Sequence, residues 1–313
     1  MLNGFHEIIS YYKLYNNDTF PDIFGLYTTR DHAHDKSHVV NSSCVVRDES
    51  NKYIASYSLP PIFSQNRLFN STSYVLMPDF TYFSTFHNYH NHGNPKSDIW
   101  FHQLKKAQNK STIRFKKKKL SAVWRGTFSH APKVARSYDS SQRVYIRSWN
   151  DYRVAAVGCH NRNGINTNGS FILKRDMCNR NKALISIPGF GVWTWGLKFQ
   201  LLCDSINILM PPSVTGGETW ETRESLGLIP NIHYLSLSGN LSTVCKEMND
   251  HISFIRNNEE TVMEMIKNKR NIIFHRLSKE SVLTDFLNLI LKYSKAYQPY
   301  EWSKYPFTWN LFQ

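Results

Sequence analysis

The chain has 313 residues, 41% hydrophobic and 14% aromatic, enough for about two domains with real cores, which excludes a disordered chain. A formal charge of +14 and a pI near 9.5 point to partners that carry negative charge, without choosing among nucleic acid, anionic membrane and phosphorylated small molecules. No stretch approaches the length of a transmembrane helix, and the cysteines (Cys44, Cys159, Cys178, Cys203 and Cys245), odd in number and without a CxxC pair, argue against a zinc ribbon or a framework using them all.

The start, MLNGFHEIISYYKLYNN, lacks the basic segment and long apolar run of a signal peptide, and the final WNLFQ is no retention signal of the KDEL type. A soluble, cytoplasmic protein is the expectation, unless a leader has been trimmed. Sequons at Asn17, Asn41, Asn70, Asn109, Asn168 and Asn240 matter only in a secretory lumen.

Residues 20–29 (FPDIFGLYTT), 62–63 and 74–83 (YVLMPDFTYF) predict strands between loops rich in Ser, Asn and His, an aromatic-rich α/β domain. Arg30, Asp31 and His32 follow the first of these, so Asp31 falls at a strand's carboxyl end. A carboxylate there can serve as a general base when burial raises its pKa; a surface Asp–Arg turn is the alternative. The histidines gather as His32, His34 and His38, then as His87, His90 and His92. Such clusters can bind zinc or another transition metal, but their spacing matches no zinc signature and suits loop or acceptor-site histidines better.

In RFKKKKLSAVWRG, residues 114–126, four consecutive lysines (Lys116 to Lys119) predict a solvated linker at a domain boundary, with a polyanion site as the alternative. Residues 120–124 follow as a buried strand, and Arg125-Gly126 turns the chain out of it. A helix is expected near residues 142–149 and a loop, GCHNRNGINTNGS, after it.

Residues 182–205, KALISIPGFGVWTWGLKFQLLCDS, run from an apolar strand through Gly189-Phe190-Gly191 into a helix. That order sets free backbone N–H groups where a phosphate can sit. The alternative is a tight βα turn with core tryptophans at Trp193 and Trp195. Thr194 near the helix start, Lys198 one turn in, and Arg125 at another strand end favour the phosphate, because anions bind outside the carboxyl ends of such strands.

Further strands are expected at residues 206–210 and 233–237. The positions Leu241, Val244, Met248, Ile252 and Ile255, three and four apart, describe one buried helix face, and further helices are expected at residues 259–273 and 282–293. Strands alternating with helices argue for a parallel sheet covered on both faces.

Trp124-Arg125-Gly126-Thr127 resembles the WRGS of the glycosyltransferase family that includes Rumi-type protein O-glucosyltransferases and fungal capsule-associated xylosyltransferases. The family's glycine turn, hydroxyl, aromatic residue and lysine resemble Gly189, Gly191, Thr194, Trp195 and Lys198. Leu201-Leu202-Cys203-Asp204-Ser205, His233-Tyr234-Leu235 and Asn240-Leu241-Ser242 also fit its pattern. In the first half, Pro21-Asp22 leading to Arg30-Asp31, Pro61-Ile62-Phe63-Ser64 and Pro78-Asp79-Phe80 resemble its segments. A rival placement over residues 78–89 leaves Asn88 where the base should be, and the order of later segments favours the first. One departure stands out: the arginine that precedes Leu-Lys in the family is Gly196 here. The lumenal members' leader and disulfide set are absent too, which suggests a cytoplasmic enzyme, such as one encoded by a large virus or a protist.

The resemblance implies the α/β architecture called GT-B, two Rossmann-like domains facing across a cleft. Residues 1–115 would form the acceptor-side domain, residues 116–285 the nucleotide-sugar domain, and residues 286–313 a segment crossing back. It implies an inverting, metal-independent transfer of a sugar, xylose favoured over glucose, from a UDP-sugar to a hydroxyl of a glycan or glycoprotein, with Asp31 as catalytic base. Donor contacts would come from Arg125, Gly126, Thr127, Arg143, Gly189, Phe190, Gly191, Val192, Trp193, Thr194 and Lys198. Arg30, His32 and His87 would lie on the acceptor side. No metal, cofactor or nucleic-acid partner is expected. The rival readings are a metal-dependent hydrolase or nuclease using the histidines, and a nucleic-acid-binding protein using the lysine run.

Overall fold

The computed structural model describes residues 12, 26–27, 43–47, 53–58, 62–64, 66–68, 74–78, 82, 99–109, 115–125, 154–160, 162–167, 174–187, 196–210, 217–219 and 227–296. The first part comprises β1 (Leu26–Tyr27), β2 (Ser43–Arg47), β3 (Tyr53–Ser58), β4 (Ile62–Ser64), β5 (Asn66–Leu68), β6 (Tyr74–Leu76) and helix α1 (Ile99–Asn109). β1, β4 and β6 form a parallel sheet in that order, while β2 and β3 pair antiparallel. The three strands expected in this region therefore share one sheet. β6 stops short of Pro78, which has no N–H to continue a ladder.

The second part comprises β7 (Lys119–Val123), β8 (Ile165–Asn166), α2 (Lys174–Arg180), β9 (Asn181–Ser186), α3 (Gly196–Leu201), β10 (Ile206–Leu209), β11 (Gly217–Thr219), β12 (Leu235–Ser236), α4 (Val244–Asn257), α5 (Glu259–Arg276) and α6 (Lys279–Ala296). A five-stranded sheet runs β12-β10-β9-β7-β8, and every pairing in it is parallel. β11 pairs antiparallel with β5 of the first part.

Both faces of the five-stranded sheet are covered, as the alternation of strands and helices predicts. On one face Ala122, Ala183, Ile185, Ile206 and Ile208 pack with Val244, Met248, Ile252 and Ile255 of α4 and Val262, Met265 and Ile266 of α5. On the other, Val123 and Leu184 pack with Met177 of α2 and with Cys203. Each fully buried Leu, Ile or Val contributes roughly 1.5–3 kcal/mol, so this two-sided burial is what holds strands as short as β10 in place. A second core joins Leu197 and Leu201 of α3 to Trp100 and Leu104 of α1, and to Val282, Phe286 and Ile290 of α6.

Several expectations are corrected. The loop expected around residues 158–170 contains β8, and residues 154–158 form a short helix. Leu241 does not join the buried face of α4. It is 46% exposed, because Asn240 Oδ1 accepts from the Ser242 N–H and hydroxyl and holds residues 240–243 in a turn that delays the helix to Val244. α6 begins three residues earlier than its apolar stripe, where Ser278 Oγ accepts the Ser281 N–H as an N-cap.

Three lysines of the run, Lys116, Lys117 and Lys119, are exposed as expected, but the run is not an unstructured linker and its remaining member is not solvated. Phe115–Lys117 form a 3-10 turn, Lys119 opens β7, and Lys118 is buried. Its ammonium donates to Cys178 O, Asp204 O and Ser205 Oγ, which ties the amino end of β7 to the chain entering β10. Two disulfides add to these ties: Cys159–Cys245 fastens the turn after residues 154–158 to α4, and Cys178–Cys203 fastens α2 to the end of α3.

Candidate functional site

The order of the five-stranded sheet places its ligand end. From β7 the chain crosses to β8 on one side, then returns to β9 on the other side and moves outward through β10 to β12. The direction of winding reverses between β7 and β9. In open parallel sheets the crevice outside the carboxyl ends of the strands at such a reversal is where ligands bind.

Trp124 and Arg125 follow the carboxyl end of β7. Trp124 is buried in the α4-side core and anchors the strand end. Arg125 is half-buried, and its side chain turns towards β8. Nη1 donates to Trp124 O at 2.7 Å and to Asn166 O at 2.8 Å, and Nη2 donates to Asn166 Oδ1 at 2.9 Å. Burial lowers the pKa of Arg125 from its ordinary value, yet a guanidinium stays charged at neutral pH. The arrangement is a fixed cation at a strand end.

β8 exists to be met this way. Asn163 and Gly164 both adopt positive φ, 47° and 89°, turning the chain back against β7. A Cβ at Gly164 would lie 2.8 Å from Leu120 O, so only glycine allows the approach. Gly164 O then accepts from Ala122 N, and Asn166 O from Trp124 N. Asn166 is the site residue that sequence reasoning missed. Its one signal was the Asn-Gly turn ahead of an isolated isoleucine.

β9 delivers Ser186 and Ile187, both buried, to the same end of the sheet. Gly189, Phe190, Gly191, Val192, Trp193 and Thr194 come next in sequence and lie outside the described residues, as do Gly126, Thr127, Arg143, Arg30, Asp31, His32 and His87. Lys198 lies in the first turn of α3 and is only 2% exposed. Its ammonium sits 3.6 Å from the centre of the Tyr82 ring and 5.5 Å from that of Trp100, a cation held against aromatic faces. Gly196, where the family resemblance places an arginine, is the first residue of α3.

At the carboxyl end of β12, Glu247 organises the chain. The Ser238 N–H and hydroxyl donate to its carboxylate at 2.7 and 2.5 Å, and the Thr243 hydroxyl donates as well. Burial alone would raise its pKa, but these hydrogen bonds and nearby His251 outweigh burial and hold it below the ordinary value. His251 Nε2 lies 2.9 Å from Ser236 O. His233 precedes β12, away from this end. Its Nδ1 accepts the Ile229 N–H at 2.8 Å, and burial lowers its pKa, so it is a neutral turn-former. Among the described residues no three His, Cys, Asp or Glu side chains gather as a metal site, and both histidine clusters lie outside them.

A doubly wound parallel sheet with a guanidinium fixed over the carboxyl ends of β7 and β8, beside its reversal point, defines an α/β protein suited to hold an anion at that end. The family profile that matches the chain is Glycosyl transferase family 90, over residues 39–303. The chain belongs to that family, as WRGT and the glycine-turn segment implied. The matched span contains Arg125 and Lys198 and begins after Asp31. A comparison with curated proteins gives no match.

Proposed function

We propose that this glycosyl transferase moves a sugar, xylose in preference to glucose, from a UDP-sugar to a hydroxyl of a glycan or glycoprotein by a single inverting displacement without a metal ion. The observation that carries this reading is Arg125, held by Asn166 over the carboxyl ends of β7 and β8, beside the switch point of the parallel sheet. Negative charge develops on the departing diphosphate, and a prepositioned guanidinium stabilises it without reorganising. The backbone N–H groups of residues 189–193 would share that charge, with Arg143 as a further cation. Gly126 and Thr127, next along the chain from Arg125, would line the same pocket. Lys198, packed on Tyr82, would add positive potential from within α3.

Asp31 would take the acceptor's proton as its oxygen attacks the anomeric carbon, and Arg30, His32 and His87 would shape the acceptor side. Two parallel sheets, one carrying β1 just before Asp31 and one carrying Arg125, are the parts that a GT-B arrangement of domains at residues 1–115 and 116–285 requires. The disulfides Cys159–Cys245 and Cys178–Cys203 favour an oxidising compartment over the cytoplasm. No helix among the described residues is long and apolar enough to cross a membrane.

The test is a UDP-release screen across UDP-sugars, with and without EDTA, using Asp31→Asn as control. Release from UDP-xylose or UDP-glucose that persists in EDTA and collapses in the variant supports the proposal. Undiminished turnover in Asp31→Asn removes Asp31 as base, and dependence on a divalent ion removes the metal-free mechanism.

A further inference from the structure

Arg125 and Asn166 meet in a way that does more than tie two strands together. The pairing of Val123 with Asn166 aligns the last residue of β8 with the last residue of β7, and the Trp124 N–H closes the ladder on Asn166 O. Arg125 then crosses onto β8 and uses both oxygens of one residue, the carbonyl at 2.8 Å and the side-chain Oδ1 at 2.9 Å. A guanidinium only donates, so the amide oxygen of Asn166 is the atom that must face it. With Trp124 O added, these three acceptors of Arg125 carry no formal charge.

The choice of an amide at this position has an electrostatic consequence. Aspartate has the same shape and would accept the same hydrogen bond more strongly, but its full negative charge beside the guanidinium would cancel much of the field that an anionic ligand feels. Asparagine fixes the orientation without that cancellation. Resting on the donor site proposed above, we infer that Asn166 is a positioning residue that orients Arg125 towards the diphosphate of the nucleotide-sugar without adding a counter-charge. Specificity for a diphosphate over an uncharged nucleoside then depends on β8, a two-residue edge strand.

The experiment compares binding of UDP and of uridine, by calorimetry, to the wild type, Asn166→Asp, Asn166→Ala and Arg125→Ala, with a thermal melt for each. Asn166→Asp is expected to melt with the wild type and bind uridine equally well, while its UDP affinity falls about tenfold or more, the worth of one charge-assisted contact. Asn166→Ala should lose UDP affinity through loss of orientation. Should Asn166→Asp bind UDP as the wild type does while Arg125→Ala does not, the inference is overturned and the donor site stands. Equal weakening of uridine and UDP would overturn it too, since that is damage to the fold rather than a lost field. If Arg125→Ala keeps full UDP affinity, the donor-site reading itself fails.

Discussion

Lys269 on α5 donates to Asn207 Oδ1 on β10 at 2.7 Å, a hydrogen bond between two side chains with no exposure to solvent. The same ammonium donates to Ser205 O at 2.7 Å and Cys203 O at 2.9 Å, so all three of its protons are used. Lys269 lies between the two apolar parts of α5, with Val262, Met265 and Ile266 in the sheet core and Ile273 in the α1–α6 core. It closes the carbonyls left open where α3 ends, at the amino edge of the sheet opposite Arg125. Its role is therefore structural. Lys269→Met should strand three buried acceptors, each worth about 1–3 kcal/mol. The expected result is a lower urea midpoint with an unchanged m-value, and an unshifted midpoint would refute it.

Lys118 gives the same region a pH signature. Burial, and then the nearby Arg270 charge, lower its pKa from 10.5 to about 8, and burial, and then Lys118, hold that of Lys269 well below its ordinary value. Unfolded, the Lys118 side chain takes up its proton near 10.5; folded, only near 8. Between those values the unfolded chain holds more protons, so stability rises with pH across the window and the full benefit is reached only above it. The wild type should therefore gain stability relative to Lys118→Met as pH rises from about 8 to about 10. Paired urea titrations at several pH values measure the difference, and a flat difference contradicts it.

How much of this was legible follows from the range of each interaction. β9, β10 and α4 to α6 announce themselves because their apolar residues repeat along the chain at strand or helix spacing. Arg125 was legible because an apolar strand ends in Trp-Arg-Gly. β8 was not, since two residues carry no period and its partner lies about forty residues back in sequence, as the separation of Arg125 from Asn166 shows. Lys118 was misread for a related reason. A run of lysines looks solvated until the carbonyls of Cys178 and Asp204, far along the chain, arrive to surround one of them.

The Cys159–Cys245 disulfide, spanning 86 residues of sequence, ties the residues that precede β8 to α4. Replacing both cysteines with serine should lower stability by about 2–5 kcal/mol, through freedom returned to the unfolded chain. The double variant should melt below the wild type, and the wild type in reductant, where Cys178–Cys203 opens as well, should melt lower still. Peptide mapping without reductant checks the premise directly, and free thiols at both positions would remove it.

Gly164 supplies the test that links fold to site. Its φ of 89°, and the mere 2.8 Å that would separate an alanine methyl from Leu120 O, mean that Gly164→Ala must both strain the backbone and push β8 away from β7. Strain of this kind costs about 1–3 kcal/mol, so the variant should still fold but melt lower. The displaced strand carries Asn166 with it, and Arg125 loses its two acceptors there. UDP affinity should fall along with stability, whereas Gly158→Ala, where a Cβ meets nothing within 4 Å, should leave binding unchanged. If Gly164→Ala melts lower but binds UDP as tightly as the wild type, the guanidinium does not depend on β8 for its orientation.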